Sequence, residues 1–424
     1  MNNFLNKFFS RTNNLDYINR GFRDLTSKTP IKKIFDAIIN FSSNSEVRYV
    51  GGCVRKIINQ ETVDDIDLAT NLTPQQVSET LKKNNINFYE TGIKHGTITA
   101  IIDDYKFEIT SLREDIETDG RHAEVKFTIN WKKDASRRDF SINAIYADLN
   151  GNLFDPCNGK EDLEKGIVKF IGDPEIRIKE DYLRILRYLR FYLIYSKQKH
   201  DQETLRIIKK NLEGISNLSK DRVFDELKKY IKSKVLIKIC KDKFSVELFQ
   251  IIFPQLKNIK IFSNLNNFLK TKLEELDFIF ILSLMVIDGS DNVDYFLYKF
   301  NISKNDQKRL IIINNFYCDK ITSKSFTEKN LNRIFYFHGK QAVIDILNYK
   351  LFINKKIDQN LVNLIEIFKY KVLQTLPIGA KILMSKYNIP EGKTLGNKLK
   401  LIEDEWVKNN FKLSEKQIDK IVNR

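Results

Sequence analysis

Apolar residues recur at helical spacing first at Ile31, Ile34, Phe35, Ile38 and Ile39, which predicts an amphipathic helix from Ile31 to Phe41. The pattern then shortens to strand length. Val47–Val50, Asp65–Ala69, Thr97–Ile102 and Lys106–Thr110 read as strands. A helix opened by Thr73-Pro74 lies among them, because proline just after threonine is a helix-start signal. This alternation makes the first third of the chain an α/β segment. Residues 1–25 carry aromatics with little periodicity and are expected to form an arm. The stretch Leu112 to Ser136 is polar and charged and reads as a long loop or a mobile hairpin. From about Pro174 the pattern turns helical and stays so, with Ile207–Leu218, Val223–Ile239, Leu273–Ile287, Leu331–Leu351 and Lys398–Val407 as its clearest runs. The expected fold is α+β: an α/β head followed by an elongated, all-helical body.

Composition sharpens this picture. Among 424 residues, the 16 glycines and 7 prolines are too few for a collagen-like or turn-rich β chain, and 42% hydrophobic residues exclude wholesale disorder. Cys53, Cys157, Cys240 and Cys318 lie far apart without a CxxC, and the four histidines are scattered, so neither a zinc module nor a disulfide framework is expected. No window is long and apolar enough for a membrane span. A reducing, cytoplasmic setting follows. The net charge is +16, and its placement is uneven: residues 301–424 hold 23 basic and 12 acidic side chains. That excess fits a polyanion-binding surface in the last part of the chain.

The densest chemistry is Gly51-Gly52-Cys53-Val54-Arg55, fed by the short strand Val47–Val50 and followed ten residues on by Asp65-Ile66-Asp67. Glycines at a strand end let the backbone approach a triphosphate, and Arg55 on the next turn adds a cation. Asp65 and Asp67, two apart in a strand, would project from one face while Ile66 points inward. Two such carboxylates can hold two divalent cations for phosphoryl transfer. Glu108, flanked by apolar neighbours in Lys106–Thr110, is a candidate third acidic group. His95-Gly96-Thr97 reads as a turn between strands, and Trp131 as a local anchor.

These motifs resemble the class II tRNA nucleotidyltransferases (CCA-adding enzymes), which share ancestry with bacterial poly(A) polymerases in the polymerase-β-like nucleotidyltransferase superfamily. The blocks that carry the resemblance are GGCVRKIINQETVDDIDLAT (51–70), TGIKHGTITAII (91–102), FEITSLRED (107–115), TDGRHAEVKFTINWKKDASRRDFSINAIYADLNGNLFDPCNG (118–159), FIGDPEIRIKEDYLRILRYLRFY (170–192) and LPIGAKILMSKYNIPEGKTLGNKLKLIEDEW (376–406). One departure is Lys56, where the family commonly has an acidic residue. The resemblance implies a head with a small mixed or antiparallel sheet at 26–160, a nucleotide-recognition neck at 161–235 and a tRNA-binding body and tail at 236–424. It places Gly52, Arg55 and Arg138 at the nucleotide and Asp65 and Asp67 on Mg2+. It implies tRNA as partner, with CTP and ATP as substrates. No sequence signal fixes an oligomeric state.

A second constellation is Glu180-Asp181-Tyr182-Leu183-Arg184. On a helix, Asp181 and Arg184 would be i,i+3 neighbours, by default a surface ion pair. The resemblance gives them another role: a carboxylate beside a guanidinium can hydrogen-bond the edge of an incoming base in place of a nucleic-acid template. Arg187 and Arg190 continue the series around the helix and are expected at phosphates or at a domain contact. Poly(A) addition, a CC-only variant and a non-catalytic RNA-binding protein are the alternatives. Gly92-Ile93-Lys94-His95-Gly96-Thr97 stands where bacterial poly(A) polymerases usually carry an Arg-rich stretch, and Leu112–Ser136 is not shortened as in CC-only enzymes. Complete CCA addition is the preferred expectation.

Overall fold

The computed structural model describes residues 17–118, 123–232, 235–318 and 323–423. They fall into two compact units, Met1–Glu226 and Leu227–Arg424.

The first unit is built on a mixed sheet. It opens with helix α1 (17–28) and α2 (Ile31–Ile39), then β1 (Val47–Val50), α3 (Gly52–Ile58), β2 (Ile66–Thr70), α4 (Pro74–Lys83), β3 (Asn87–Gly92), β4 (Thr97–Ile102) and β5 (Tyr105–Ser111). A two-stranded ribbon, β6 (Arg113–Thr118) and β7 (Ala123–Phe127), precedes α5 (Trp131–Ser136), β8 (Tyr146–Ala147) and β9 (Leu153–Phe154). The main sheet runs β3-β4-β5-β2-β1-β8-β9. Among the described residues only β2 and β5 pair in parallel, with Asp67 opposite Glu108. β4 alternates half-buried and buried residues, Ile98, Ala100 and Ile102 facing inward, which is the period-two pattern of a strand. The Thr73-Pro74 start is realised as a capping box closed by Gln76.

One expectation is corrected in this unit. Residues 17–25, expected to lie in an arm, belong to α1, because Ile18 and Phe22, one helical turn apart, are fully buried. The Phe22 and Phe35 rings flank Tyr49 at 5.0 and 4.9 Å, and the Tyr17 hydroxyl donates to the Ile58 carbonyl at 2.6 Å. Of the two readings of Leu112–Ser136, a long loop or a hairpin, the structure has the hairpin, as the antiparallel ribbon β6–β7, and adds α5; residues 119–122 lie outside the described set. Asn130 caps α5, and Trp131 is buried edge-on to Tyr146 at 5.3 Å beneath the Arg48 guanidinium at 4.2 Å. Trp131 is the local anchor. His95 ends a short 3-10 turn between β3 and β4.

The unit continues through α6 (Gly159–Lys165), α7 (Pro174–Glu180), α8 (Leu183–Tyr195), α9 (Gln202–Lys210) and the start of α10 (Lys220–Lys232). α8 buries Ile185, Leu186, Tyr188, Leu189 and Phe191, and its rings interleave with Phe140 and Phe170.

The second unit is helical throughout its described residues: α11 (Leu236–Ile239), α12 (Lys243–Ile252), α13 (Asn267–Glu275), α14 (Phe278–Val286), α15 (Asn292–Lys299), α16 (Lys304–Cys318), α17 (Glu328–His338), α18 (Lys340–Asn354), α19 (Gln359–Tyr370), α20 (Ala380–Tyr387), α21 (Lys393–Lys408) and α22 (Glu415–Val422). α14 is apolar on all sides and buried from Ile279 to Val286, as a central core helix must be. The buried Asp345 accepts two hydrogen bonds from Arg309, at 2.5 and 2.8 Å. Two long runs read from periodicity are each two helices. Gly339, at φ +84°, splits Leu331–Leu351. Asp277, whose carboxylate accepts from the Phe280 N–H, restarts the chain within Leu273–Ile287. Among the described residues no helix is long and apolar enough to cross a membrane.

Backbone packing sets one prediction. A Cβ added at Gly159 would stand 2.1 Å from the Ser141 carbonyl oxygen, whereas one added at Gly396, inside α21, meets nothing within 4 Å. Gly159→Ala should destabilise by about 1–3 kcal/mol, and Gly396→Ala should stabilise by about 0.5–1 kcal/mol. Denaturant midpoints check both signs.

Candidate active site

The β1–α3 turn is where the chain can be approached most closely. Gly51 sits at φ +67° and ψ −117°, a conformation open to glycine, and α3 begins at Gly52. A Cβ at Gly52 would lie 3.9 Å from the Asp67 carboxylate, so the glycine turn and the second strand meet at one spot. Asp65 is exposed and lies just before β2, not inside the expected strand, while Asp67 is half-buried within it. Glu108 sits directly across from Asp67 on β5 and is exposed, so it is a strand-face residue and not a buried carboxylate. Burial, then the charges of Glu108 and Asp65, push the Asp67 carboxyl up to about 6, against the pull of Arg138 and Arg55. Among the described residues no three His, Cys, Asp or Glu side chains converge into a ready metal cage. Mg2+ seldom uses such a cage; it takes one or two carboxylates together with substrate phosphates. An accumulation of carboxylates under-neutralised by its own arginines is a donor set that suits a divalent cation.

The arginines beside this face are held by other partners. Arg138 donates to Asp134 at 3.0 and 3.1 Å and to the Tyr146 hydroxyl at 3.0 Å, and its Nη1 is 3.9 Å from the Cβ position of Gly51. Tyr146 in turn donates to Asp134 at 2.7 Å. Burial opposes charge on Asp134, yet Arg138 and Arg137 override it and hold the carboxyl well below the usual range. Arg55 is buried, donates to Asn143 Oδ1 and stacks on Phe191 and Tyr195 at 4.8 and 5.1 Å, while its Nε has no hydrogen-bond partner. Lys56 pairs with Asp64, which gives the departure from the family pattern a local role.

At the second constellation the geometry differs from the expected helical pair. The helix breaks at Asp181, which is extended (φ −156°, ψ 104°), between α7 and α8. Asp181 Oδ1 accepts from the Leu183 N–H at 3.1 Å, and Oδ2 pairs with Arg222 at 2.7 Å. Arg184 pairs instead with Glu180 at 2.6 Å and donates to the Arg177 carbonyl at 2.8 Å. Asp181 and Arg184 are therefore close in the chain but do not pair with each other; the break rotates the carboxylate away. Arg187 pairs with Asp139 at 2.6 Å and Arg190 with the fully buried Glu226 at 2.5 Å. Both arginines, expected at phosphates or a domain contact, are engaged in ion pairs within the first unit.

Residues 47–169 match the poly A polymerase head domain, and residues 199–260 match a region described as a probable RNA and SrmB-binding site of polymerase A. The human mitochondrial CCA tRNA nucleotidyltransferase 1 is 48% identical over 191 residues, 44% of each chain. A CCA-adding enzyme of Staphylococcus haemolyticus is 29% identical over 397 residues, 87% of this chain and 95% of its own. The Bacillus stearothermophilus CCA-adding enzyme in complex with CTP superposes with a TM-score of 0.68 at 19% identity, over 93% of this chain and 97% of that one. Over residues 47–169 the chain thus matches the poly A polymerase head domain, and over most of its length it is similar to CCA-adding enzymes. The match spans less than half the length of the mitochondrial relatives.

The structure brings Gly52, Asp65, Asp67, Glu108 and Arg138 to one face and leaves Asp181 and Arg184 with separate partners. Several supporting residues are missing from the sequence reading. Asp134 stands four residues before Arg138 on α5, a spacing that could have flagged it. Asn143 and Asp139 lie inside quoted blocks without a pattern to mark them, while Glu180, named in the second constellation, stands four residues before its partner Arg184. Arg222 reaches Asp181 across 41 residues, and no local periodicity reports such a contact.

The Asp139–Arg187 pair sets a pH prediction. Burial would raise the Asp139 carboxyl, but Arg187 and Asn143 lower it to about 2. A folded value below the unfolded one stabilises above about pH 4, and that stabilisation is lost as pH falls through about 2. Asp139→Asn should cost roughly 2–3 kcal/mol at pH 7, and the gap to the parent should close between about pH 4 and pH 2. Unfolding curves of the two proteins across that range check it.

Proposed function

We propose that the chain adds CMP and then AMP to the 3′ end of tRNA, completing CCA from CTP and ATP without a nucleic-acid template. The observation that carries this reading is the carboxylate face of Asp65, Asp67 and Glu108 beside Gly52 and Arg138. The names of the relatives, and of solved neighbours bound to CTP, ATP and tRNA, support it.

In the reaction the tRNA 3′ hydroxyl attacks the α-phosphorus of the nucleotide, a new phosphodiester forms and pyrophosphate leaves. Asp65 and Asp67 would hold divalent cations, Mg2+ in our reading, which supply charge neutralisation and Lewis acidity at the triphosphate. Gly52 lets the triphosphate approach the backbone. Arg138, fixed by Asp134 and Tyr146, offers a permanently charged donor beside Gly51. Glu108 adds negative charge across from Asp67. Asp181 and Arg184 read the base: cytosine and adenine each present an amino donor beside a ring acceptor, whereas uracil and guanine reverse that polarity. A bound base replaces part of what Arg222 and Glu180 now supply to the pair. The four cysteines are free, which supports a reducing, cytoplasmic setting.

A tRNA transcript lacking its CCA, offered CTP and ATP separately and together, tests the activity. Ordered addition of two C and one A is the expected product. An A-only tail would favour poly(A) polymerase, a halt after two C a CC-adding enzyme, and no product a binding protein. Asp67→Ala should lower addition by at least a hundredfold, roughly 3 kcal/mol or more at the transition state, with tRNA binding nearly intact. Asp181→Ala should relax nucleotide choice by about ten- to a hundredfold, more than it slows turnover, in single-nucleotide extensions with UTP and GTP. Full selectivity with reduced turnover would make Asp181 a structural partner of Arg222 only.

A further inference from the structure

A cleft of about 940 Å³ in the second unit is lined by no residue assigned to nucleotidyl transfer. It opens between α17 and α21. Ile334 and Val407 line its floor, and Phe337 stands at its wall with 46% of its surface exposed. Its volume falls in the range of about 300–1,000 Å³ that commonly holds a small-molecule-sized group.

The two helices are tied firmly together. Tyr336 meets Trp406 edge-on at 5.5 Å and donates to Glu403 at 2.5 Å, Trp406 packs on Phe411 at 4.8 Å, and Asn332 donates to Asn410 at 2.7 Å. On α17, Asn330, Arg333 and Phe337 recur at three- and four-residue spacing, so one helix face presents an amide, a cation and an aromatic ring in succession. Lys329 and Lys408 add two further exposed cations around the cleft, against one exposed carboxylate, Asp404. Among the described residues neither Lys329 nor Arg333 pairs with a carboxylate, so both remain available to an anion. Burial, with Lys308 and Arg333 nearby, lowers the His338 pKa, so its ring is neutral at pH 7 and can stack without charge.

We infer that this cleft takes one unpaired nucleotide of the RNA substrate: its base stacks on Phe337, and its flanking phosphates pair with Lys329, Arg333 and Lys408. This rests on the reading of the chain as an RNA-modifying enzyme. The occupant follows from the chemistry of the lining. Cations around a half-exposed aromatic ring, packed edge-on against Tyr336 at 5.2 Å, match a phosphate-linked base, and the surrounding segment carries 23 basic against 12 acidic residues. A base inside a duplex has both faces covered by its neighbours, so only a splayed-out one can offer a face to Phe337. Asn330 and Asp404 give the seated base a donor and acceptors at its edge.

The test uses the full chain with two RNAs, a tRNA lacking CCA and a fully paired duplex of the same length. Phe337→Ala should weaken tRNA binding about tenfold and duplex binding less than twofold. It should raise KM for tRNA and leave kcat for CMP addition unchanged, and Phe337→Trp should restore the affinity. Arg333→Glu should weaken tRNA binding and lower the steepness of its salt dependence. The inference is overturned if Phe337→Ala leaves tRNA affinity within twofold, or weakens tRNA and duplex equally. Failure of the underlying reading shows elsewhere: the parent protein would add no CMP, while the two binding constants would still decide the cleft.

Discussion

Negative charge crowded onto one strand face is the constraint around which the head is arranged. Asp67 lies inside β2 with Glu108 across from it on β5 and Asp65 just ahead of it. Among the described residues, parallel pairing of these two strands, alone in an otherwise antiparallel sheet, is what puts the two carboxylates in register. A fold optimised for stability alone would place a neutral residue at Asp67, where burial and two like charges hold the carboxyl at about 6. The glycine turn at Gly51-Gly52 belongs to the same arrangement, since it leaves the space beside that carboxylate free of side chains.

The neighbouring arginines could have cancelled this charge and do not. Asp134 and Tyr146 hold Arg138, Asn143 and two aromatic rings hold Arg55, and Asp139 holds Arg187. Each guanidinium is held by its own partner, and Arg138 and Arg55 still lower the Asp67 carboxyl without offsetting burial and the like charges. Arg177 reinforces this by donating to the main-chain carbonyls of Arg137 and Arg138. The same economy recurs at the helix break, where Arg222 and Glu180 occupy the two side chains assigned to reading the base.

Much of this was legible in the chain. Strand lengths, the Thr73-Pro74 helix start, the glycine turn and the Asp65-Ile66-Asp67 spacing are local features, and local features survive folding. The misreadings are tertiary. Residues 17–25 do carry Ile18, Phe22 and Leu25 at helical spacing, but the stretch is short and interrupted by Gly21, and burial of Ile18 and Phe22 is what fixes α1. Ideal helical spacing put Asp181 beside Arg184, but the chain leaves the helix at Asp181, and its ion pair with Arg222 spans 41 residues. Glu108, a candidate third acidic group, is exposed, and its charge acts on Asp67 through strand register, which one strand's sequence cannot show.

The claim that this face is kept charged for a cation is most directly tested by titrating the Asp67 carboxyl carbon by NMR in the intact protein, with and without Mg2+. Without divalent cation the carboxyl should titrate near 6. With saturating Mg2+ its midpoint should fall below about 4, the ordinary range for aspartate, because the ion binds the charged form. A midpoint near 4 in metal-free protein, unmoved by Mg2+, would contradict the account.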